Sequence, residues 1–168
     1  MAAHQIYFHL TWSTHRRMPM IDGPTRNFLD GFFRRTIIQE RVTLVALAFL
    51  RSHVHLLVRC APRIDLGHLV QLLKGGSSYA ASRRPDNRLG LRWNRQYSVT
   101  SVSPKLLQAA IDYIEGQNRR HPDEMVHTLK SEPGKPLRLS AVPHWAHSSE
   151  CGQQGETITS DPPLETIA

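Results

Sequence analysis

Arg51-Ser52-His53-Val54-His55-Leu56-Leu57-Val58-Arg59 is the stretch on which the rest of the chain turns. It is apolar and partly β-branched, which favours a strand. Alternate side chains of a strand share a face, so His53 and His55 project side by side while Val54, Leu56 and Val58 point to the opposite face and a core. Two imidazoles fixed on one rigid element make a metal site that lacks at least one ligand.

Working outward, residues 42–50 are almost continuously apolar, as a central strand would be. Only a short link separates them from the His53 strand, so the two form a hairpin with its turn between Phe49 and Ser52. Upstream, residues 4–14 place Ile6, Phe8, Leu10 and Trp12 on one face of a strand. Residues 24–40 read as a helix, with Asp22 or Gly23 near the cap, Pro24 at the first position, and Phe28, Leu29, Phe32, Phe33 and Ile37 as the apolar stripe. Downstream, Asp65 caps a second helix that carries Lys74-Gly75-Gly76 in its middle, where paired glycines weaken it or let another group approach closely. Residues 83–95 form a basic loop, and Tyr97 to Val102 a fourth strand. Ser103-Pro104 opens a third helix running to about Asn118, striped by Leu106, Leu107, Ala110, Ile111 and Ile114, and a short helix follows over Asp123 to Lys130. The order βαββαβ implies an α+β, ferredoxin-like (RRM-like) antiparallel sheet with the His53 strand central, plus an added C-terminal helix. The domain spans residues 1–133. Residues 134–168, rich in Pro, Ser, Gly, Gln and Thr, read as a disordered polar tail.

The net charge is +7. Residues 134–168 hold two basic and four acidic side chains, which leaves 19 basic and 10 acidic before them, or +9 for the body. A body this basic suits a polyanion, nucleic acid above all. No apolar run is long enough to span a bilayer, no signal segment is evident, and the cysteines, Cys60 and Cys151, stand far apart. A reducing cytoplasm is the expected compartment.

Tyr113 and Gln117 are four residues apart in the third helix and so share a face. Gln117 could complete the coordination begun by His53 and His55. Imidazole plus amide oxygen suits Mg²⁺ or Mn²⁺ better than structural zinc. Such an ion polarises a phosphodiester, and Tyr113 is then placed to attack it and form a covalent phosphotyrosine. Each feature alone is commonplace, since a His-x-His pair is often structural and an interfacial tyrosine is usually packing. It is their joint occurrence that points to chemistry.

Together the motifs resemble the HUH single-tyrosine transposases, particularly REP-associated tyrosine transposases and their insertion-sequence relatives. The likeness rests on His53-Val54-His55 and on Tyr113 with Gln117. Thr11-Trp12-Ser13-Thr14-His15-Arg16-Arg17, Leu73-Lys74-Gly75, the strand Tyr97 to Ser103, and His121 add to it. It covers roughly residues 4–130. Gly116 and Arg120 depart from the family's usual Asn and His, and Trp93-Asn94-Arg95-Gln96-Tyr97 keeps only part of a Trp-x-x-Gly-Tyr pattern. The resemblance implies a homodimer acting on single-stranded, hairpin-forming DNA. Tyr113 would yield a 5′-phosphotyrosine and a free 3′-OH, with His53, His55 and Gln117 holding the metal and the tyrosine helix serving its own or a partner's site. The DNA-contact candidates are Arg16, Arg17, Lys74, Arg83, Arg84, Arg92, Trp93, Arg95, Arg119, Arg120 and His121. Two other classes remain open: a non-catalytic, domesticated RRM-like binder of nucleic acid, and a metal-dependent hydrolase in which Tyr113 is structural.

Overall fold

In the computed structural model, which describes residues 5–126, four strands form one antiparallel sheet in the order β2-β3-β1-β4. They are β1 (Ile6–Ser13), β2 (Thr43–Phe49), β3 (His53–Cys60) and β4 (Ser98–Val102). The β2–β3 turn is tight, closed by Leu50 N–H donating to the His53 carbonyl at 2.9 Å. β3 and β1 are the central pair, and their register sets Thr11 opposite His55 and Ser13 opposite His53. A bulge at Val45 interrupts the β2–β3 pairing.

Alternation then sorts the side chains. Leu10, Trp12, Val54, Leu56 and Val58 go to one face, where they pack on α1 (Gly23–Gln39) and on the helical stretch from Leu66 to Ser82. α1 begins where its sequence says, with the Asp22 carboxylate accepting from Thr25 N–H at 2.9 Å and Pro24 in the first turn. Asp65 caps the second stretch in the same way through His68 N–H. That stretch is α2 (Leu66–Gln71), a π-turn over Leu72–Gly76, and α3 (Ser77–Ser82). The expected weakness at Gly75-Gly76 thus takes the form of a π-bulge, which absorbs one extra residue without ending the helix.

The opposite face carries Tyr7 and Leu57, and it is covered by α4 (Leu107–Glu115) through Ile114, with Leu107, Ala110 and Ile111 beside it. His53 and His55 have the same parity as Leu57 and therefore lie on this second face, buried at 5% and 6% exposure.

The third helix is not one piece. Ser103 makes no side-chain cap; a 3₁₀ turn (Pro104–Leu106) comes first, then α4, then a break at Gly116, then α5 (Gln117–Arg120). The 3₁₀ turn advances each residue by about 120° rather than 100°. Leu106 consequently leaves the apolar stripe and is 62% exposed. At Gly116 a Cβ would lie 2.9 Å from the Asp112 carbonyl oxygen, so the close turn there requires glycine. Beyond it, a 3₁₀ turn (Pro122–Glu124) replaces the start of the predicted short helix, and Met125 then bridges to Leu50. The remainder of that helix and the polar tail lie outside the described residues. No helix among the described residues is long and apolar enough to cross a membrane. Ile114→Ala is expected to lower the unfolding free energy in urea by roughly 2–5 kcal/mol, whereas Leu106→Ala should stay within about 0.5 kcal/mol.

Candidate functional site

The centre forms where α4 and the segment that follows α5 meet the His53–His55 end of the sheet. The two imidazoles of β3 stand with ring centroids 5.2 Å apart. Each has its Nδ1 engaged. His53 Nδ1 lies 3.1 Å from the Glu124 carboxylate and 3.1 Å from Ser52 Oγ, and Ser52 Oγ itself donates to Glu124. His55 Nδ1 lies 3.0 Å from His9 Nε2 and 3.4 Å from Thr11 Oγ1. With Nδ1 occupied in both rings, Nε2 is the nitrogen left for a ligand.

Electrostatics favour neutral imidazoles. Burial, reinforced by His53, His9 and His121, pushes His55 down to about 3. Burial also lowers His53, with Glu124 pulling upward and Arg17 and His121 adding to the lowering. For Glu124 burial acts upward, but the Ser52 hydroxyl, His53 and Arg17 outweigh it and hold the carboxyl below its ordinary value.

α4 brings Tyr113 over the same histidines. Its ring centroid is 5.8 Å from that of His55 and 6.1 Å from that of His9, edge-on to both. The ring is 39% exposed, with the Arg120 guanidinium 5.2 Å from its centroid. One turn on, Gln117 is fully buried. Its Nε2 donates to the Tyr113 carbonyl at 3.1 Å, but its Oε1 has no hydrogen-bond partner among the described residues. Leaving a buried amide oxygen unpaired costs about 1–3 kcal/mol, which a cation would relieve. In the chain Gln117 falls between Tyr113, which reaches His55, and His121, whose ring is 6.2 Å from that of His53. Among the described residues no group of three or more His, Cys, Asp or Glu is arranged to hold a metal. Two imidazoles and an amide oxygen without a hydrogen-bond partner are the groups that could hold a metal, and such donors would suit a hard divalent ion that keeps waters or phosphate oxygens in its other positions.

His9, Thr11, Ser52 and Glu124 were not evident from the sequence. His9 and Thr11 share the alternation of β1, but only the register with β3 brings them to His55. Glu124 lies 71 residues from His53 and carries no local signal.

The basic candidates divide. Arg16 and Arg17 are exposed in a 3₁₀ turn after β1, both in the left-handed region at φ 53° and 54°, a conformation disfavoured for non-glycine residues. Arg17 is near enough to bias both His53 and Glu124. Arg92, Trp93, Arg95, His15 and Ser78 line a cleft of about 760 Å³. Within it the Trp93 indole N–H donates to Ser77 Oγ at 2.9 Å and its ring packs edge-on against Trp12, so the indole is committed inward. Lys74 Nζ donates to the Arg95 and Gln96 carbonyls at 2.8 and 3.3 Å and lies 5.5 Å from the Tyr97 ring centroid, bracing the cleft's floor. Arg84 pairs with Asp86 and lies over Phe28, and Arg83 lies over Tyr79. Arg119 and Arg120 are exposed on α5, and His121 is exposed just beyond it.

Comparison with known proteins adds three findings. A family model described as "Transposase IS200 like" matches residues 2–117. A Deinococcus radiodurans R1 crystal structure, described as that of a candidate transposase, is 28% identical with a TM-score of 0.53, over 69% of this chain and 93% of that one. A REP-associated tyrosine transposase bound to a REP hairpin has a TM-score of 0.57 at 13% identity, over 72% of this chain and 73% of that one; at this identity the likeness concerns the fold alone. No curated protein matches.

Because Lys74 holds the 95–96 backbone, Lys74→Met should raise amide hydrogen-exchange rates over residues 95–98 by about tenfold, about 1.4 kcal/mol of local opening, and leave those of β3 unchanged.

Proposed function

The chain belongs to the IS200-like transposase family, and from that premise we propose that it cuts and rejoins single-stranded DNA through Tyr113, at a centre built with His53, His55 and Gln117. The observation that carries this reading is the convergence, within one chain, of the Tyr113 ring on His55 with the buried Gln117 side chain one turn away, whose Oε1 has no hydrogen-bond partner among the described residues.

In this mechanism the Tyr113 phenol loses its proton to solvent and its oxygen attacks the scissile phosphorus. The P–O3′ bond breaks, the 3′ oxygen takes up a proton, and the 5′ phosphate stays on Tyr113. The reverse attack by a 3′-OH on the phosphotyrosine restores the phenol and rejoins DNA without an external energy source. Neutral imidazoles at His53 and His55 and the Gln117 amide oxygen would hold Mg²⁺ or Mn²⁺. When bound, such an ion polarises the phosphate and offsets charge gathering on it. The Arg120 guanidinium beside the Tyr113 ring would draw the phosphate towards it.

The substrate in this reading is a hairpin-forming single strand, a choice supported by the hairpin-bound fold neighbour. Arg16, Arg17, Arg92 and Arg95 are exposed cations that would meet its backbone. Since Tyr113 lies against its own chain's histidines, each subunit would carry a complete centre, and the homodimer would join two of them.

The test uses a labelled single-stranded hairpin oligonucleotide with Mn²⁺. A covalent adduct is expected from the native chain and none from Tyr113→Phe. Cleavage without an adduct would favour the hydrolase reading, and hairpin binding without cleavage the non-catalytic binder. Mixing Tyr113→Phe with a His53→Ala, His55→Ala chain should restore no adduct; restoration would mean that the tyrosine serves a partner's histidines. Glu124→Gln, which weakens the acceptor on His53 Nδ1, should lower Mn²⁺ affinity about 10-fold by titration calorimetry with the melting curve unchanged.

A further inference from the structure

The centre contains a third histidine that the mechanism above does not use. His9 sits on β1 two residues before Thr11, and Thr11 is the direct cross-strand neighbour of His55. His9 is thus diagonal to His55 on the same face of the sheet. Diagonal Cβ atoms across an antiparallel pair lie about 7–8 Å apart, a span that aromatic side chains bridge. The two rings stack at 5.2 Å with an interplanar angle of 22°, and His9 Nε2 meets His55 Nδ1 at 3.0 Å. His9 also meets Tyr113, with ring centroids 6.1 Å apart and planes at 73°. Among the described residues, Thr11 Oγ1, 3.3 Å from His9 Nε2 and 3.4 Å from His55 Nδ1, shares this junction.

A neutral imidazole has one proton and two nitrogens. In the contact between His9 and His55 one ring donates and the other accepts. If His9 donates, the His55 proton sits on Nε2 and that nitrogen cannot ligate. If His55 donates, its Nε2 carries a free lone pair. We propose that His9 is a positioning residue: it accepts the Nδ1–H of His55, fixes that ring in the tautomer whose Nε2 can bind a divalent cation, and backs the Tyr113 ring with its own. On the other imidazole Glu124 performs the matching task for His53 Nδ1. The inference rests on the two-imidazole centre proposed above and adds the device that presets one of its ligands before any cation arrives.

The test uses the full chain in three forms: native, His9→Phe, and His9→Gln. Phe keeps an aromatic ring against Tyr113 but has no acceptor, whereas Gln keeps an acceptor oxygen. Long-range ¹H–¹⁵N spectra of the metal-free protein, with His55 assigned by its loss in His55→Gln, read the tautomer directly. The native chain and His9→Gln should show His55 protonated on Nδ1, and His9→Phe should show a mixture or the Nε2–H form. In titration calorimetry His9→Phe should bind Mn²⁺ about 10- to 100-fold more weakly than the native chain, and His9→Gln within about threefold of it. A native His55 protonated on Nε2 overturns the proposal, as does a His9→Phe chain with native tautomer and native Mn²⁺ affinity, which would leave Thr11 as the anchor. Should His9→Phe fail to fold, the native and His9→Gln tautomers decide. Mn²⁺ affinity insensitive to His53→Ala would instead overturn the two-imidazole centre, while the tautomer spectra still decide what His9 does.

Discussion

The antiparallel register of β1 on β3 is the constraint from which the rest of the site follows. It sets Thr11 against His55 and Ser13 against His53, and so puts His9, Thr11, His53 and His55 on one face. A slip of one residue would send His9 and Thr11 to the opposite face, into the packing of α1. The register is strongly held because the alternate positions Leu10, Trp12, Val54, Leu56 and Val58 are all buried against helices. The same apolar alternation that forms the core therefore aligns the polar face, and the site needs no flexible segment to assemble its imidazoles.

Covering that face demands a helix that is both apolar and functional. Ile114 anchors α4 on Tyr7, Ala46 and Leu57, and its neighbour in sequence, Tyr113, consequently falls at the margin, partly exposed and beside His55 and His9. Gly116 then turns the chain. Because its amide closes on Asp112 and no Cβ fits there, Gln117 restarts as α5 with its amide buried. The break lets the segment return over the β2–β3 turn, where Arg51 N–H donates to the Glu124 carbonyl and the Glu124 carboxylate meets Ser52 and His53. Backbone and side chain of one residue thus fasten the C-terminal segment to the strand that carries the imidazoles.

Much of this was written in the local sequence. The period-two alternation of β1 and β3, the Asp22 and Asp65 caps and the basic body are short-range features, and they yielded the sheet and its helices. The spacing of His53 with His55 and of Tyr113 with Gln117 named the residues that now stand as the candidate site. The prediction of one unbroken third helix failed at both ends. Pro104 started a 3₁₀ turn, which moved Leu106 to solvent, and the Asp112–Gly116 turn broke the helix after α4. Arginines counted by charge also proved unequal: Arg84 is held by Asp86 and Phe28, whereas Arg92 and Arg95 line an open cleft.

By itself the sequence determined which faces would be apolar and where α1 and the Leu66–Ser82 helical stretch begin, and it singled out imidazoles and a phenol as candidates for chemistry, because those properties depend on residues within a few positions of one another. Only the tertiary structure decided what each polar group touches. His9 reaches His55 across 46 residues and Glu124 reaches His53 across 71. Such contacts depend on strand register and on where a chain break redirects a helix, and both are settled by the packing of the whole core rather than by any local pattern.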